Sequence, residues 1–305
     1  MRVVFMGTPD FAVPTLEMLV REHETVLCIT REDAPKGRGG KMSMPPVKET
    51  AIKYGIPVYQ PKSARTPEFY ETVKNAEADV IVTCAYGKIL PENVLTAAPY
   101  GVVNVHASLL PKYRGAAPIW HAVLNGEKES GITTMQTDAG MDTGDILLVE
   151  RVLIGPDTTT GELHDILAQL APTVLMKTLA GLERDVIKPQ PQDGSAATYA
   201  PMVGRETGQI DWSGTAEKIV NTVRGTNPYP GASSTLDGRR VKIIRARIAE
   251  HDGLFAEPGV CISENGRLIV ACGSGAVEVC EIQGEGTRKM TAEEYLNGHS
   301  ADKFI

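Results

Sequence analysis

Asparagine and histidine side chains stand two residues apart at the predicted exit of a buried strand. Because side chains alternate along a strand, Asn104 and His106 point to the same face. A polar loop at 138–145, which contains three aspartates, follows another strand-like run. An amide N–H can donate to a developing oxyanion, an imidazole can move a proton near neutral pH, and a carboxylate can accept one. Together, these residue types can polarise a carbonyl and manage one proton.

Other common chemistries lack their motifs in this chain. There is no G-x-S-x-G nucleophile elbow, and the six histidines are scattered along the sequence. One His, one Asn and one Asp make a poor metal set, since Asn is a weak ligand. The segment 7–12 contains one glycine and does not match a dinucleotide fingerprint.

Each candidate side chain also has a purely structural interpretation. An isolated His106 could be a half-buried histidine with satisfied hydrogen bonds, and Asn104 alone could form a turn. Asp142 could cap a turn, and Asp138 and Asp145 compete for its role. The residues alone do not choose among the three aspartates.

Strands and helices alternate through the first part of the chain, which predicts an α/β sheet covered by helices on both faces. Open sheets of this class bind ligands where strands end. The predicted loop 31–43 is rich in Gly, Lys and Arg, and Thr66-Pro67 opens a helix. A capping box at Thr159 opens another helix, which Pro172 should end or restart. The predicted strands of this part are 3–6, 26–30, 57–59, 79–84, 102–106, 132–137 and 145–154.

A change in the pattern of predicted elements, from alternating strands and helices to short β-like segments, predicts two domains. We predict a catalytic domain over 1–187, a Pro-rich polar linker over 188–203 and a second domain over 204–305. Short β-like segments separated by Gly, Asp and Asn turns follow the linker, which is typical of a small barrel.

The composition is that of an ordinary globular protein, with 305 residues, 42% hydrophobic and 23% charged. A net charge of -7 means that any nucleic-acid contact needs a local basic patch. No apolar run is long enough to span a bilayer, and the first residues read as a strand rather than a signal peptide. We therefore expect a cytoplasmic protein. Its five cysteines should be buried, reduced thiols.

Several segments of the chain resemble the folate-dependent formyltransferase family. The segment Asn104–Gly115 resembles its catalytic motif, and Gly131–Ile146 its second signature, with Asp142 at the acidic position. The resemblance continues through Gly7–Phe11, the 37–41 loop and a region that ends near Leu296, so it covers nearly the whole chain.

This resemblance implies a Rossmann-like parallel-sheet formyltransferase domain followed by an OB-like β-barrel domain. It implies transfer of a formyl group from 10-formyltetrahydrofolate to the amino group of initiator methionyl-tRNA, for translation initiation, without a metal. Asn104, His106 and Asp142 would be catalytic. We predict a monomer with folate and tRNA as partners and no membrane partner.

The resemblance also extends to binding residues. The residues predicted to line the folate cleft are Ser108, Leu109, Leu110, Pro111, Tyr86, Gly87, Ile89 and Asp138. The alternative is that they only pack their own loops. The tRNA candidates are Arg38, which the resemblance supports, Lys41 in the same basic loop, and Arg240 and Lys242 in the densest basic run of the chain, 239–247. A solvated loop or a solvated barrel face is the alternative for them. In an unbulged strand, Arg245 and Arg247 would face away from Arg240 and Lys242. A twist or bulge could present all four together.

Two rival functions remain open at this point. A sugar-amine formyltransferase would share the catalytic motif, and the Arg38 loop and the C-terminal match argue against it. A folate- or RNA-binding protein without activity would not need Asn104, His106 and Asp142 together.

Overall fold

The computed structural model describes residues 1–36, 40–250 and 257–305. Contacts between residues divide the chain into two compact units. The first unit comprises Met1–Pro118, Ser130–Val152 and His164–Ala200. The second comprises Ile119–Glu129, Leu153–Leu163 and Pro201–Ile305. Most of the segment predicted as a linker over 188–203 therefore clusters with the first unit.

A seven-stranded sheet forms the centre of the first unit, in the order β10-β9-β7-β6-β1-β2-β5. The pairs from β5 to β7 are parallel, and β9 runs antiparallel to β7. This confirms the α/β class. The strands are β1 (Arg2–Gly7), β2 (Glu24–Ile29), β3 (Ala34–Lys36), β4 (Lys41–Ser43), β5 (Val58–Tyr59), β6 (Val80–Cys84), β7 (Val102–His106), β8 (Arg114–Gly115), β9 (Glu129–Gln136), β10 (Ile146–Leu153) and β11 (Tyr199–Ala200).

The order of the parallel strands reverses at β1, because β2 lies on one side of it and β6 on the other. Such a reversal opens a crevice at the carboxyl ends of the strands, which is where open α/β sheets bind ligands. Gly7 and Cys84 are paired at these ends of β1 and β6. The neighbouring strand β7 ends at His106, so the candidate site lies at this edge of the sheet.

The helices follow local signals, with one exception. Thr66 caps its helix as predicted, because its hydroxyl accepts from the Phe69 amide. Pro172 was predicted to end or restart a helix, and this was wrong, since it lies inside one continuous helix. Buried Leu167 and Leu175 flank it, and burying such side chains, at about 1.5–3 kcal/mol each, offsets a proline cost of about 3 kcal/mol. The helices are α1 (Val13–Glu22), α2 (Pro46–Lys53), α3 (Pro67–Asn75), α4 (Glu92–Leu95), α5 (Pro118–Leu124), α6 (Thr160–Glu183), α7 (Ala216–Gly225) and α8 (Ala292–Leu296).

The segment 31–43, predicted as a loop, contains an antiparallel hairpin. Its two strands, β3 and β4, pair from Ala34 with Ser43 to Lys36 with Lys41. Each strand has three residues and contains a lysine, so neither shows the apolar alternation by which a strand is recognised, and the sequence pattern resembles a loop.

The second unit is an antiparallel sheet in the order β12-β13-β16-β15-β14, with β17 beside β16. The C-terminal segment joins its two edges: Thr235 and Ile305 exchange backbone hydrogen bonds, and the Cys261 amide donates to the Asp302 carbonyl. This closes the predicted barrel. The strands are β12 (Ala232–Leu236), β13 (Arg239–Ile248), β14 (Cys261–Glu264), β15 (Arg267–Ala271), β16 (Ala276–Gly284) and β17 (Met290–Thr291).

The barrel core is apolar and includes Trp212 and Phe304, whose ring centroids are 4.8 Å apart. Within the described residues, every helix is too short or too polar to cross a bilayer.

Candidate active site

Asn104 is held by its neighbour strand in one orientation. It pairs with Thr83 across β6 and β7, and the Thr83 hydroxyl donates to the Asn104 amide oxygen at 2.8 Å. The Thr83 contact identifies the oxygen end of the amide, and the NH₂ group at the other end is the donor. The half-buried side chain thus presents two N–H groups at the strand end.

His106 is buried, and its ring nitrogens have different neighbours. Nε2 lies 3.0 Å from the Tyr113 carbonyl oxygen. A carbonyl can only accept, so Nε2 must carry a hydrogen. Nδ1 faces Asp142 Oδ2 at 3.7 Å, which is longer than a hydrogen bond. Nδ1 is therefore the nitrogen that can take up a proton or, once protonated, donate towards the carboxylate.

Asp142 is the loop aspartate that the structure brings to His106. Its Oδ2 accepts from the Gly115 amide at 2.8 Å, and its φ of 53° is in the left-handed region that non-glycine residues rarely adopt. Asp138 instead closes its own loop by accepting from the Thr143 hydroxyl and the Gly140 amide. The ion pairs of the described residues include none between His106 and Asp138 or Asp145.

The loop after β7 is fastened to β9 by a buried threonine. The Thr133 hydroxyl donates to the Ser108 carbonyl at 2.6 Å and accepts from the Leu110 amide at 3.2 Å. The Ser108 hydroxyl donates to the Lys112 carbonyl at 2.7 Å. The predicted folate candidates 108–111 thus form a fixed loop beside His106, and Leu109 is half-buried within it.

The candidates after β6 differ in exposure. The Tyr86 ring lies in the apolar core, burial raises its pKa to about 12, and its buried hydroxyl has no partner among the described residues. Gly87 has a φ of 74°, and its carbonyl accepts from the Arg31 guanidinium. Ile89 is 65% exposed. Ile89 thus offers exposed apolar surface on this loop, while the Tyr86 ring packs into the core.

Folding brings one cysteine next to the candidate site. Cys84 pairs with Val105 across β6 and β7, although no cysteine is near His106 in sequence. Burial raises the pKa of its thiol to about 12, so the thiolate needed for nucleophilic attack is scarce at neutral pH. This thiol is a packing residue.

Gln192 makes two partly buried contacts at the site that the sequence did not predict. Arg114 is 6% exposed, and its guanidinium donates to Gln192 Oε1 at 2.7 and 3.1 Å. The other end of Gln192 reaches the loop of Asp142. Gln192 lies in a Pro-rich polar segment, and no local signal distinguishes it there from a linker residue.

The candidate tRNA residues lie in both units. Lys41 is exposed on β4 in the first unit, and Arg240 and Lys242 are exposed on β13 in the second. Arg38 falls outside the described residues. Among 1–36, 40–250 and 257–305, no group of three or more His, Cys, Asp or Glu could hold a metal ion.

Two family models cover most of the chain. The model described as formyl transferase matches residues 1–179, and the model described as formyl transferase, C-terminal domain, matches residues 202–300. These matches agree with the resemblance seen in the catalytic motif.

Two relatives that match along nearly their whole length carry the same name. A methionyl-tRNA formyltransferase of Acetivibrio thermocellus is 52% identical over 302 residues, which are 98% of this chain and 97% of the relative. One from Caldanaerobacter subterraneus is 50% identical, with the same shares of both chains.

Solved structures show the same fold at low identity. WlaRD, a sugar 3N-formyl transferase, superposes with a TM-score of 0.70 at 18% identity, covering 94% of this chain and 99% of that one. An N-formyltransferase from Helicobacter canadensis gives 0.68 at 18% identity, covering 92% and 98%. The family models and the relatives, taken together, show that the chain belongs to the formyl transferase family and, within it, to the methionyl-tRNA formyltransferases.

Proposed function

We propose that this chain transfers the formyl group of 10-formyltetrahydrofolate to the α-amine of initiator methionyl-tRNA. The observation that carries the chemistry is the contact of His106 with Asp142 at 3.7 Å, at the end of the strand that also bears Asn104. The tRNA acceptor is supported by the names of relatives with about half of their residues in common with this chain. A role in translation initiation would place the enzyme in the cytoplasm. We propose that it acts there as a monomer and without a metal.

The reaction begins when the free amine attacks the formyl carbon of the donor. A bond forms between the amine nitrogen and this carbon, and negative charge moves to the formyl oxygen. The NH₂ group of Asn104 is the donor end of an amide whose oxygen is bound by Thr83, so it is suited to stabilise that oxyanion. His106 can donate to the same oxygen when Nδ1 is protonated.

The tetrahedral intermediate then collapses with one proton lost and one gained. Asp142 takes a proton from the new ammonium group, directly or through water. The bond between the formyl carbon and N10 breaks, and N10 receives a proton, so the products are a formamide and tetrahydrofolate. No electron is transferred to or from a third reactant.

The folate would lie along the loops after β6 and β7. Exposed Ile89 and half-buried Leu109 offer apolar surface, and the chain turns at Gly87. Asp138 lies on the loop of Asp142, where its carboxylate stabilises the turn. The reversal of strand order at β1 supports a ligand in this crevice.

The tRNA contacts in the second unit would use one face of β13. Register shifts around Ile244 and Arg245 change the alternation of this strand. Arg240 and Lys242 are exposed before the shift, and Arg245 and Arg247 after it, while Val241, Ile243 and Ala246 are buried. The bulge therefore places four basic side chains on the solvent face, a surface suited to phosphates.

A buried carboxylate supports this basic face. Glu278 accepts from Arg247 at 2.8 Å and pairs with Arg267, and these two arginines remain 60% and 44% exposed. Each guanidinium is thus held in place with part of its surface free for a phosphate. In the first unit, exposed Lys41 of the hairpin would contribute a further contact, and the family resemblance adds Arg38 as a candidate.

A direct assay tests the function. Purified protein with 10-formyltetrahydrofolate should formylate charged initiator methionyl-tRNA and leave a dTDP-linked amino sugar unmodified. Transfer to the sugar alone would replace the proposal with the sugar-amine alternative, which the fold of WlaRD favours. Absence of transfer to either acceptor would support a binding protein.

A further inference from the structure

The carboxamide of Gln192 uses all its hydrogen-bonding groups within the candidate active site. Its NH₂ group donates to the Asp142 carbonyl at 2.9 Å and to the Gly144 carbonyl at 2.7 Å. Its oxygen accepts twice from the Arg114 guanidinium, at 2.7 and 3.1 Å. One side chain therefore joins the loop of Asp142 to the loop that follows β7.

Both joined loops contact the reacting side chains. The loop after β7 supplies the Tyr113 carbonyl to His106 and the Gly115 amide to the Asp142 carboxylate. Arg114 lies between these two residues in the chain, so the Gln192 contact is made close to both. A displacement of about 1 Å at such a site can lower a rate by about a hundredfold.

The main chain of the Asp142 loop is bound directly by this side chain. Asp142 has a left-handed backbone with a φ of 53°, which the surrounding structure must hold. Its own carbonyl is the group that Gln192 binds. By contrast, the loop after β7 also pairs with the main chain of β11, through the Arg114 amide to the Thr198 carbonyl and the Ala116 amide to the Ala200 carbonyl. Loss of the Gln192 side chain should therefore affect the Asp142 loop more than the β7 loop.

We infer that Gln192 is a positioning residue that fixes the Asp142 carboxylate against His106 by binding the main chain of the Asp142 loop. The inference rests on the proposed function, because it assumes that Asp142 takes part in formyl transfer. It assigns a catalytic purpose to a segment whose composition is that of a linker.

Two substitutions separate positioning from packing. Gln192→Ala removes every hydrogen bond of the side chain. Gln192→Glu keeps the shape and the acceptors for Arg114 but replaces both N–H donors to the Asp142 and Gly144 carbonyls. If the donors matter, both variants should lower kcat about 10- to 100-fold, with KM for the folate changed less than about threefold. Near-normal kcat in the Glu variant would mean that Gln192 only fills space or serves Arg114, which overturns the inference.

Gln190→Ala is the matched control. Gln190 has the same side chain and lies two residues earlier, but it is exposed, and its contacts to Ile146 are made by the main chain. This variant should retain full kcat. Circular dichroism and the affinity for 5-formyltetrahydrofolate verify that each variant is folded.

A double-mutant cycle with Asp142 completes the test. In an Asp142→Asn background, Gln192→Ala should lower single-turnover rates by less than about threefold, because the group it positions is already lost. An undiminished loss in that background would show that Gln192 acts elsewhere. If Asp142→Asn leaves transfer unchanged, the proposed role of Asp142 is wrong. If Asp142→Asn is inactive but Gln192→Ala has full activity, the role of Asp142 stands and only the inference about Gln192 is wrong.

Discussion

In the first unit, the polar side chains at the end of β7 are buried or half-buried and are held by backbone and neutral side-chain partners. Asn104 is oriented by Thr83, and His106 by the Tyr113 carbonyl. In the second unit, the basic side chains of β13 are exposed to solvent. The carboxylate of Glu278 binds Arg247 of this strand and Arg267 of β15.

The difference follows from what each region has to recognise. A transition state requires donors at fixed positions in a site shielded from water, where each hydrogen bond counts for more. A phosphate backbone requires charge on an accessible surface, and its attraction is screened by salt. Substitutions in the first region should therefore change turnover, and those in the second should change affinity and its salt dependence.

The largest expected effect tests the first half of this comparison. Asp142→Asn should lower kcat by about 10²–10⁴, because the amide cannot accept the ammonium proton, while folate affinity remains. Single-turnover formylation of methionyl-tRNA measures it. Asp145→Asn is the matched control in the same loop, and equal losses in the two variants would remove the special role of Asp142.

Asn104 and His106 should behave as one unit. Each Ala substitution should cost about 2.7–4 kcal/mol of transition-state stabilisation, since each removes a donor to the developing oxyanion. Because the two act on one oxygen, the double variant should lose less than the sum of the single losses. Additive losses in kcat would indicate two independent roles.

The second half of the comparison predicts a smaller, salt-dependent effect. Changing Arg240, Lys242, Arg245 or Arg247 to Gln should weaken tRNA binding and reduce the slope of log affinity against log salt by roughly 0.7–0.9 for each phosphate that is no longer neutralised. Filter binding at several salt concentrations measures this, with kcat unchanged at saturating tRNA. Arg288→Gln, an exposed arginine outside β13, serves as the control. Slopes equal to that control would exclude β13 from the interface.

The smallest expected effect concerns pH. Burial raises the pKa of Glu278, but hydrogen bonds from Arg267 and Arg247 outweigh it, so the pKa lies below its usual value of 4.5. A carboxyl whose pKa is lower in the folded state stabilises the protein at pH values above its pKa in the unfolded chain. This contribution is lost as the pH falls through its pKa in the folded state. Glu278→Gln should therefore show a smaller drop in melting temperature below about pH 4.5. Exposed Glu285→Gln should match the unsubstituted protein, and a full-sized drop in Glu278→Gln would contradict the expectation.

Sequence periodicity predicted the elements well because that signal is local. The strand 102–106 is confirmed at both ends, and with it the placement of Asn104 and His106 at one strand end. Pro172 misled because tertiary burial outweighed a local preference. The bulge in β13 left no local mark either, although it decides which way Arg245 and Arg247 face.

The residues of the candidate site could be predicted only in part from the sequence. Spacing could not choose Asp142 over Asp138 or Asp145, since that choice depends on how a loop returns to β7; the family resemblance selected it. Thr133 and Gln192 act through contacts 25 and 50 residues away in the chain, which no local pattern encodes.

The closure of the barrel by Asp302–Ile305 has a consequence for handling the protein. These residues occupy the open edges of β12 and β14 through main-chain hydrogen bonds. An unpaired edge strand is a template for pairing with another copy. Losing these residues would therefore leave two edge strands with unpaired main-chain N–H and C=O groups. Aggregation, rather than a simple loss of binding, is the expected fate of a chain trimmed at this end, and an affinity tag is better placed elsewhere.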